Sequence, residues 1–143
     1  MMRTDRNFSM IKPLSVKANH IGGILNEISK NGFKIVAIKM VWLTLRDSKN
    51  FYAVHREKLF FKELTESISS GPILVMVLEK EDAINSFRKL IGNTNPLKAE
   101  EGTIRKKYGV SITDNAIHGA DSDENADREA RFYFSERELI NSF

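Results

Sequence analysis

Apolar side chains recur along this chain with two different periods, and the switches between them outline its elements. Phe8 to Ile11 is a short apolar run that predicts a strand, ended at Lys12-Pro13 because proline lacks an amide donor and restricts the residue before it. Ile21, Ile24, Leu25 and Ile28 have helical spacing, with Asn31-Gly32 as the stop. From Phe33 to Leu45 the chain is apolar on both alternating faces, which predicts a long central strand covered on both sides. Lys34 and Lys39 interrupt that strand near an end or a cavity, and Trp42 is expected to fill core or an interface.

Ser48 is a candidate cap for a short helix carrying Phe51, Tyr52 and His55. Phe60, Phe61, Leu64 and Ile68 mark a second short helix, closed by Gly71-Pro72, so the two predict a helical hairpin hanging off the sheet. Ile73 to Leu78 reads as a buried strand, and Ala83, Ile84, Phe87, Leu90 and Ile91 as an amphipathic helix. Gly92 to Asn115 lacks sustained periodicity, as binding loops often do, although Thr103 can cap a single turn through Lys107. Ala116 to His118 is the last strand, followed by a helix, and Phe134 to Phe143 is a packed tail. Stripped of its insertions the order is βαββαβ. That is an α+β, ferredoxin-like unit: a four-stranded antiparallel sheet, predicted to carry its helices on one face.

The last helix brings in the candidate chemistry. Asp121 and Ser122 are good N-caps, Asp123 and Glu124 suit the first turn, and Arg128 and Arg131 suit the far end. Ala126, Glu129, Ala130 and Tyr133 share one face of it. A chain that turns back after Gly119 brings Glu129 against His118. A carboxylate on one ring nitrogen fixes the tautomer and leaves the other nitrogen its lone pair, which makes a nucleophile. A lone histidine in a turn is the alternative. Lys12, Arg88 and Arg105 come from three distant segments, and guanidinium forks suit phosphate oxygens. Gathered together, with Thr94 and Asn115 as neutral donors, they would clamp a polyphosphate. His118 is then the residue to attack a terminal phosphoryl group, in a two-step exchange at one site.

Composition narrows the choice. The 143 residues fit one domain, 1–143, and contain no cysteine, so thiolate and zinc-finger chemistry are excluded. Met1 to Arg6 has no signal-peptide core, and the longest strongly apolar run, Ile73 to Leu78, is too short to span a bilayer; a soluble cytoplasmic protein is expected. The net charge of +3, from 22 basic and 19 acidic side chains, suits a phosphate-bearing small ligand at least as well as nucleic acid. There is no P-loop or protein-kinase motif, and His20, His55 and His118 lack metal-ligand spacing. Magnesium can still ride on substrate phosphates with little protein ligation.

Seven short pieces, in order, carry a resemblance: Ile11-Lys12-Pro13, Phe51-Tyr52-Ala53, Phe60-Phe61-Lys62, Ser70-Gly71-Pro72, Gly92-Asn93-Thr94-Asn95-Pro96, Gly102-Thr103-Ile104-Arg105 and Asn115-Ala116-Ile117-His118-Gly119. Together the chain resembles the nucleoside diphosphate kinases over essentially its whole length. The resemblance implies reversible transfer of a terminal phosphate from a nucleoside triphosphate to a diphosphate, maintaining nucleotide pools. His118 would be the phosphorylated residue and Glu129 its partner acid. Lys12, Tyr52, Arg88, Thr94 and Arg105 would touch phosphate, Asn115 the sugar and phosphate end, and Phe60 the base. It also implies magnesium (Mg2+) on the nucleotide phosphates, NTP and NDP as substrates, and a homo-oligomer, tetramer or hexamer, with the long loop in subunit contacts. Nucleic-acid binding is permitted by a pI of about 9.2, but no basic run or aromatic platform indicates it. Three positions depart from the family pattern: Ala120 replaces a serine, Leu14 an aspartate, and Lys106-Lys107 a small-acidic pair.

Overall fold

The computed structural model describes residues 3–143; Met1 and Met2, part of the N-terminal stretch discussed above, lie outside the described residues. Four strands form one sheet in the order β2-β3-β1-β4, with β1 Arg6–Ile11, β2 Lys34–Val41, β3 Ile73–Glu79 and β4 Ile117–Gly119. Every neighbouring pair is antiparallel. Among the described residues seven α-helices accompany them: α1 Pro13–Lys17, α2 Ile21–Lys30, α3 Leu45–Phe51, α4 Phe61–Ile68, α5 Ala83–Ile91, α6 Ile104–Tyr108 and α7 Asp123–Tyr133. The βαββαβ order is as predicted, with α3 and α4 as the inserted hairpin.

Helices cover both faces of the sheet, not one. Strand β3 shows this by its alternation. Ile73, Val75 and Val77 join Phe8, Phe51, Ile68 and Tyr133 in one core, under α3, α4 and α7. Leu74, Met76 and Leu78 join Ile24, Ile28, Phe87 and Ile104 in the other, under α2, α5 and α6. The expectation of a single covered face considered only the two crossover helices; the insertion and the last helix supply the second layer.

The strand read as central, β2, is an edge strand. Its apolar residues are not all buried: Ile38 is 44% exposed, Met40 46% and Trp42 66%. A register shift between Ile35 and Ala37 bends the strand at this edge. Trp42 therefore fills no core; its indole nitrogen donates to the Ser69 carbonyl at 3.1 Å. Ser48 does not cap α3 either. Thr44 does, accepting from the Asp47 amide at 3.0 Å, while Ser48 lies inside the helix and donates to the Thr65 carbonyl of α4 at 2.8 Å, tying the hairpin together. Thr103 caps α6 and Ser122 caps α7, as predicted. The tail is anchored through Ile140, whose amide donates to the carbonyl of Val36 at the register shift.

Candidate active site

The candidate site lies where β1 and β4 end together. Register pairs Met10 with His118 and Ile11 with Ile117, so Lys12 leaves the sheet beside the residues just before His118. The Lys12 amide donates to the Ala116 carbonyl at 2.9 Å and its ammonium to the Thr113 carbonyl at 3.2 Å. Ala116 has φ of 75°, left-handed for a residue with a Cβ, and the Ile117 amide closes back on the Asn115 carbonyl at 3.0 Å. That is a strained three-residue turn two positions before the histidine. Nothing in the sequence announced it, since alanine carries no signal for positive φ.

Helix α7 returns over β1, with Tyr133 stacked on Phe8 at 5.2 Å and 6°. Its buried face is Ala126, Glu129, Ala130 and Tyr133, as the spacing predicted. This presents Glu129 to His118, with Nε2 to Oε1 at 2.6 Å. Glu129 is 6% exposed, so the contact is strong and poorly screened. With Nε2–H committed to Glu129, the lone pair is left on Nδ1. The Tyr52 ring meets the His118 ring edge-on, 6.4 Å away at 89°. Burial, with the charge of Glu129 added, pushes the Tyr52 phenol well above its ordinary range, so it stays protonated.

The cations gather as well. Arg105 is 9% exposed and donates to the Gly92 and Ile117 carbonyls, each at 2.9 Å. Burial pushes its guanidinium down to about 10. The Lys12 ammonium is pushed down to about 8, first by burial and then by the charge of Arg105, against an opposing pull from Asp114. Two buried cations, one of which lowers the other, make a site suited to an anion. Arg88 lies at the rim, donating to the Asp121 carbonyl at 3.3 Å. With Thr94, Arg105, Gly92 and Gly119 it lines a cleft of about 310 Å³. Asn115 Nδ2 donates to the Thr94 carbonyl at 3.0 Å, while its Oδ1 is buried without a partner.

Lys12, Tyr52, His118 and Phe60 are not walls of that cleft. Phe60 is 48% exposed and connects to the histidine through other rings: His55 lies 5.9 Å from Phe60 and 6.3 Å from Tyr52. His55 is the functional candidate that sequence reading passed over. Its link to the site was invisible because it depends on how the hairpin folds against β4.

A family profile described as nucleoside diphosphate kinase matches residues 5–139. The chain belongs to the nucleoside diphosphate kinase family. A nucleoside diphosphate kinase of Flavobacterium psychrophilum is 54% identical over 137 residues, covering 96% of this chain and 99% of that one. One of Agrobacterium fabrum is 48% identical, covering 97% and 99%. Among solved structures, the Aquifex aeolicus enzyme superposes with a TM-score of 0.92 at 40% identity, covering 95% of this chain and 99% of that one. The Halobacterium salinarum enzyme, solved in complex with CDP, has a TM-score of 0.92 at 35% identity, covering 99% and 94%. The ferredoxin-like α+β fold is thus shared with this family. The activity is the family's: exchange of the terminal phosphate between nucleoside triphosphates and diphosphates. The family needs a divalent cation. Among the described residues no helix is long and apolar enough to cross a membrane.

Proposed function

We propose that the exchange runs in two half-reactions through His118, within one domain spanning residues 1–143. The supporting observation is the 2.6 Å contact between His118 Nε2 and Glu129 Oε1, next to the buried cations Lys12 and Arg105. The Nδ1 lone pair attacks the γ-phosphorus in line. The bond from that phosphorus to the β,γ-bridging oxygen breaks, and the nucleoside diphosphate leaves with the bond's electrons. A second diphosphate binds at the same site, and its terminal oxygen takes the phosphoryl group back from Nδ1. Glu129 orients the ring and offsets the positive charge that develops on it. Lys12, Arg88 and Arg105 offset charge on the transferring oxygens, Tyr52 and Thr94 donate to phosphate, and Asn115 contacts the sugar end. Phe60 stacks on the base without reading it, so one pocket serves every nucleotide.

We also propose magnesium as the divalent cation. Among the described residues no group of three His, Asp or Glu side chains can hold a metal ion. The cleft's charged side chains are Arg88, Arg105 and a single carboxylate, Asp121, which fits an ion carried in on the substrate phosphates rather than held by the protein. When bound there it neutralises phosphate charge during transfer. Self-association is part of the same reading, as a tetramer or hexamer. Ile38, Met40 and Trp42 make an exposed apolar row along the β2 edge, the kind of row a partner subunit covers. A cytoplasmic location, where nucleotide pools are made and used, goes with the activity.

The test is direct. Native protein mixed with γ-labelled ATP is expected to take up acid-labile, base-stable label and to pass it to GDP. His118→Ala is expected to take up none; label retained in that variant would reject the nucleophile.

A further inference from the structure

Helix α6 carries Arg105 yet has only five residues, too few to be stable alone. Its position must come from what it touches on each side. On one side Arg105 reaches the Gly92 and Ile117 carbonyls, while its Nε is buried without a partner. Lys107 follows two residues later, roughly 200° further round the helix, and so faces the other way. It lands on α2: its ammonium donates to Glu27 Oε1 at 2.9 Å. Glu27 is a charged residue only 8% exposed, and Lys30 approaches the same oxygen at 3.1 Å. Next to it, Tyr108 lies over the start of α2, with its ring 4.8 Å from that of His20. A β-carbon added at Gly23 would overlap the Tyr108 hydroxyl, so the glycine permits this seat.

We propose that Lys107 and Glu27 form a positioning pair that holds α6 on α2 and thereby sets where Arg105 meets nucleotide phosphate. The proposal rests on the reading of Arg105 as a phosphate ligand. Tyr108 and the buried Ile104 fix the spacing between α6 and its neighbours, but neither is a directional contact. The ion pair supplies a directional one and resists rotation of α6. A turn of α6 would pull Arg105 off its two carbonyl acceptors, since both bonds depend on the direction of the fork. Neither Lys107 nor Glu27 lines the cleft, so both act through Arg105, on nucleotide binding and on the charge it offsets during transfer.

The experiment measures ADP affinity with magnesium by calorimetry, and kcat and KM separately. Lys107→Met is expected to weaken ADP binding by about two- to fivefold, the reach of a partly exposed ion pair, with kcat at saturation lowered by no more than about the same factor. Lys107→Arg keeps native affinity. The exchanged pair, Glu27→Lys with Lys107→Glu, binds ADP better than Lys107→Glu alone. Native affinity in Lys107→Met, or an exchanged pair no better than Lys107→Glu, would overturn the proposal. Arg105→Met, run alongside, should lose more affinity than Lys107→Met. If it loses none, the reading of Arg105 fails and the pair's role fails with it.

Discussion

Replacing Glu129 with glutamine asks whether the carboxylate's charge, rather than its shape, supports the nucleophile. The side chain is 8% exposed and its Oε1 lies 2.6 Å from His118 Nε2, while Arg128 approaches Oε2 only at 3.5 Å. The histidine is therefore its main partner. A hydrogen bond to a buried charged group contributes about 1.5–3 kcal/mol, and each 1.4 kcal/mol or so is tenfold in rate. Charge builds on the imidazole as Nδ1 bonds to phosphorus, so most of that energy belongs to the transition state. Phosphoenzyme formation should slow by about 10- to 150-fold. A flipped amide adds to the loss: its NH2 would donate to Nε2, drive the proton to Nδ1 and block attack. The assay is a rapid-quench single turnover with γ-labelled ATP at saturation, with the melting temperature followed in parallel. A Glu129→Gln protein that folds like the native and phosphorylates within twofold of its rate would refute the argument.

Other perturbations probe the remaining parts of the site. Free Lys12 titrates at about 8; bound phosphate raises that value, so binding takes up a proton above pH 8. ADP affinity should therefore fall as pH rises from 8 to 9, below the range in which Arg105 titrates, by at most about tenfold, and proton uptake there should appear as a buffer-dependent calorimetric enthalpy much reduced in Lys12→Arg. Ala120 is 5% exposed and packs with Ile84 and Ala126, with no hydroxyl to offer the histidine–glutamate pair. Ala120→Ser should speed phosphoenzyme formation by about 2- to 10-fold, the worth of one hydrogen bond; equal steady-state rates would sink that reading. Phe60→Ala should raise KM for purine and pyrimidine diphosphates alike by about 5- to 100-fold through lost stacking, leaving kcat little changed. A loss confined to one base would contradict it.

Local signals in the chain were enough for much of this. The unbroken apolar run Ile73 to Leu78 already marked a buried strand, and the α7 spacing already put Glu129 on the same face as its small packing residues. Caps at Thr103 and Ser122 were legible because a side-chain oxygen and an amide three residues on are close in sequence. The ordered motif pieces contained Lys12, Tyr52, Phe60, Thr94, Arg105, Asn115 and His118, while Arg88 and Glu129 were read from their places on helices and His55 was passed over. The sequence by itself thus determined which residue types were available and which local elements they formed.

Tertiary structure decided where those elements went. An apolar strand looks the same whether a helix or open surface lies across it, so β2 read as central although it is the sheet's edge. The second helical layer, the strained turn at Ala116 and the ring path through His55 all arise from contacts between segments far apart in the chain. The same holds for the acidity of Lys12. An isolated lysine is ordinary; burial beside Arg105 and the loss of water around it bring its pKa down to about 8. A side chain's chemical identity is written locally, but its solvation and its neighbours are fixed only when distant segments close around it.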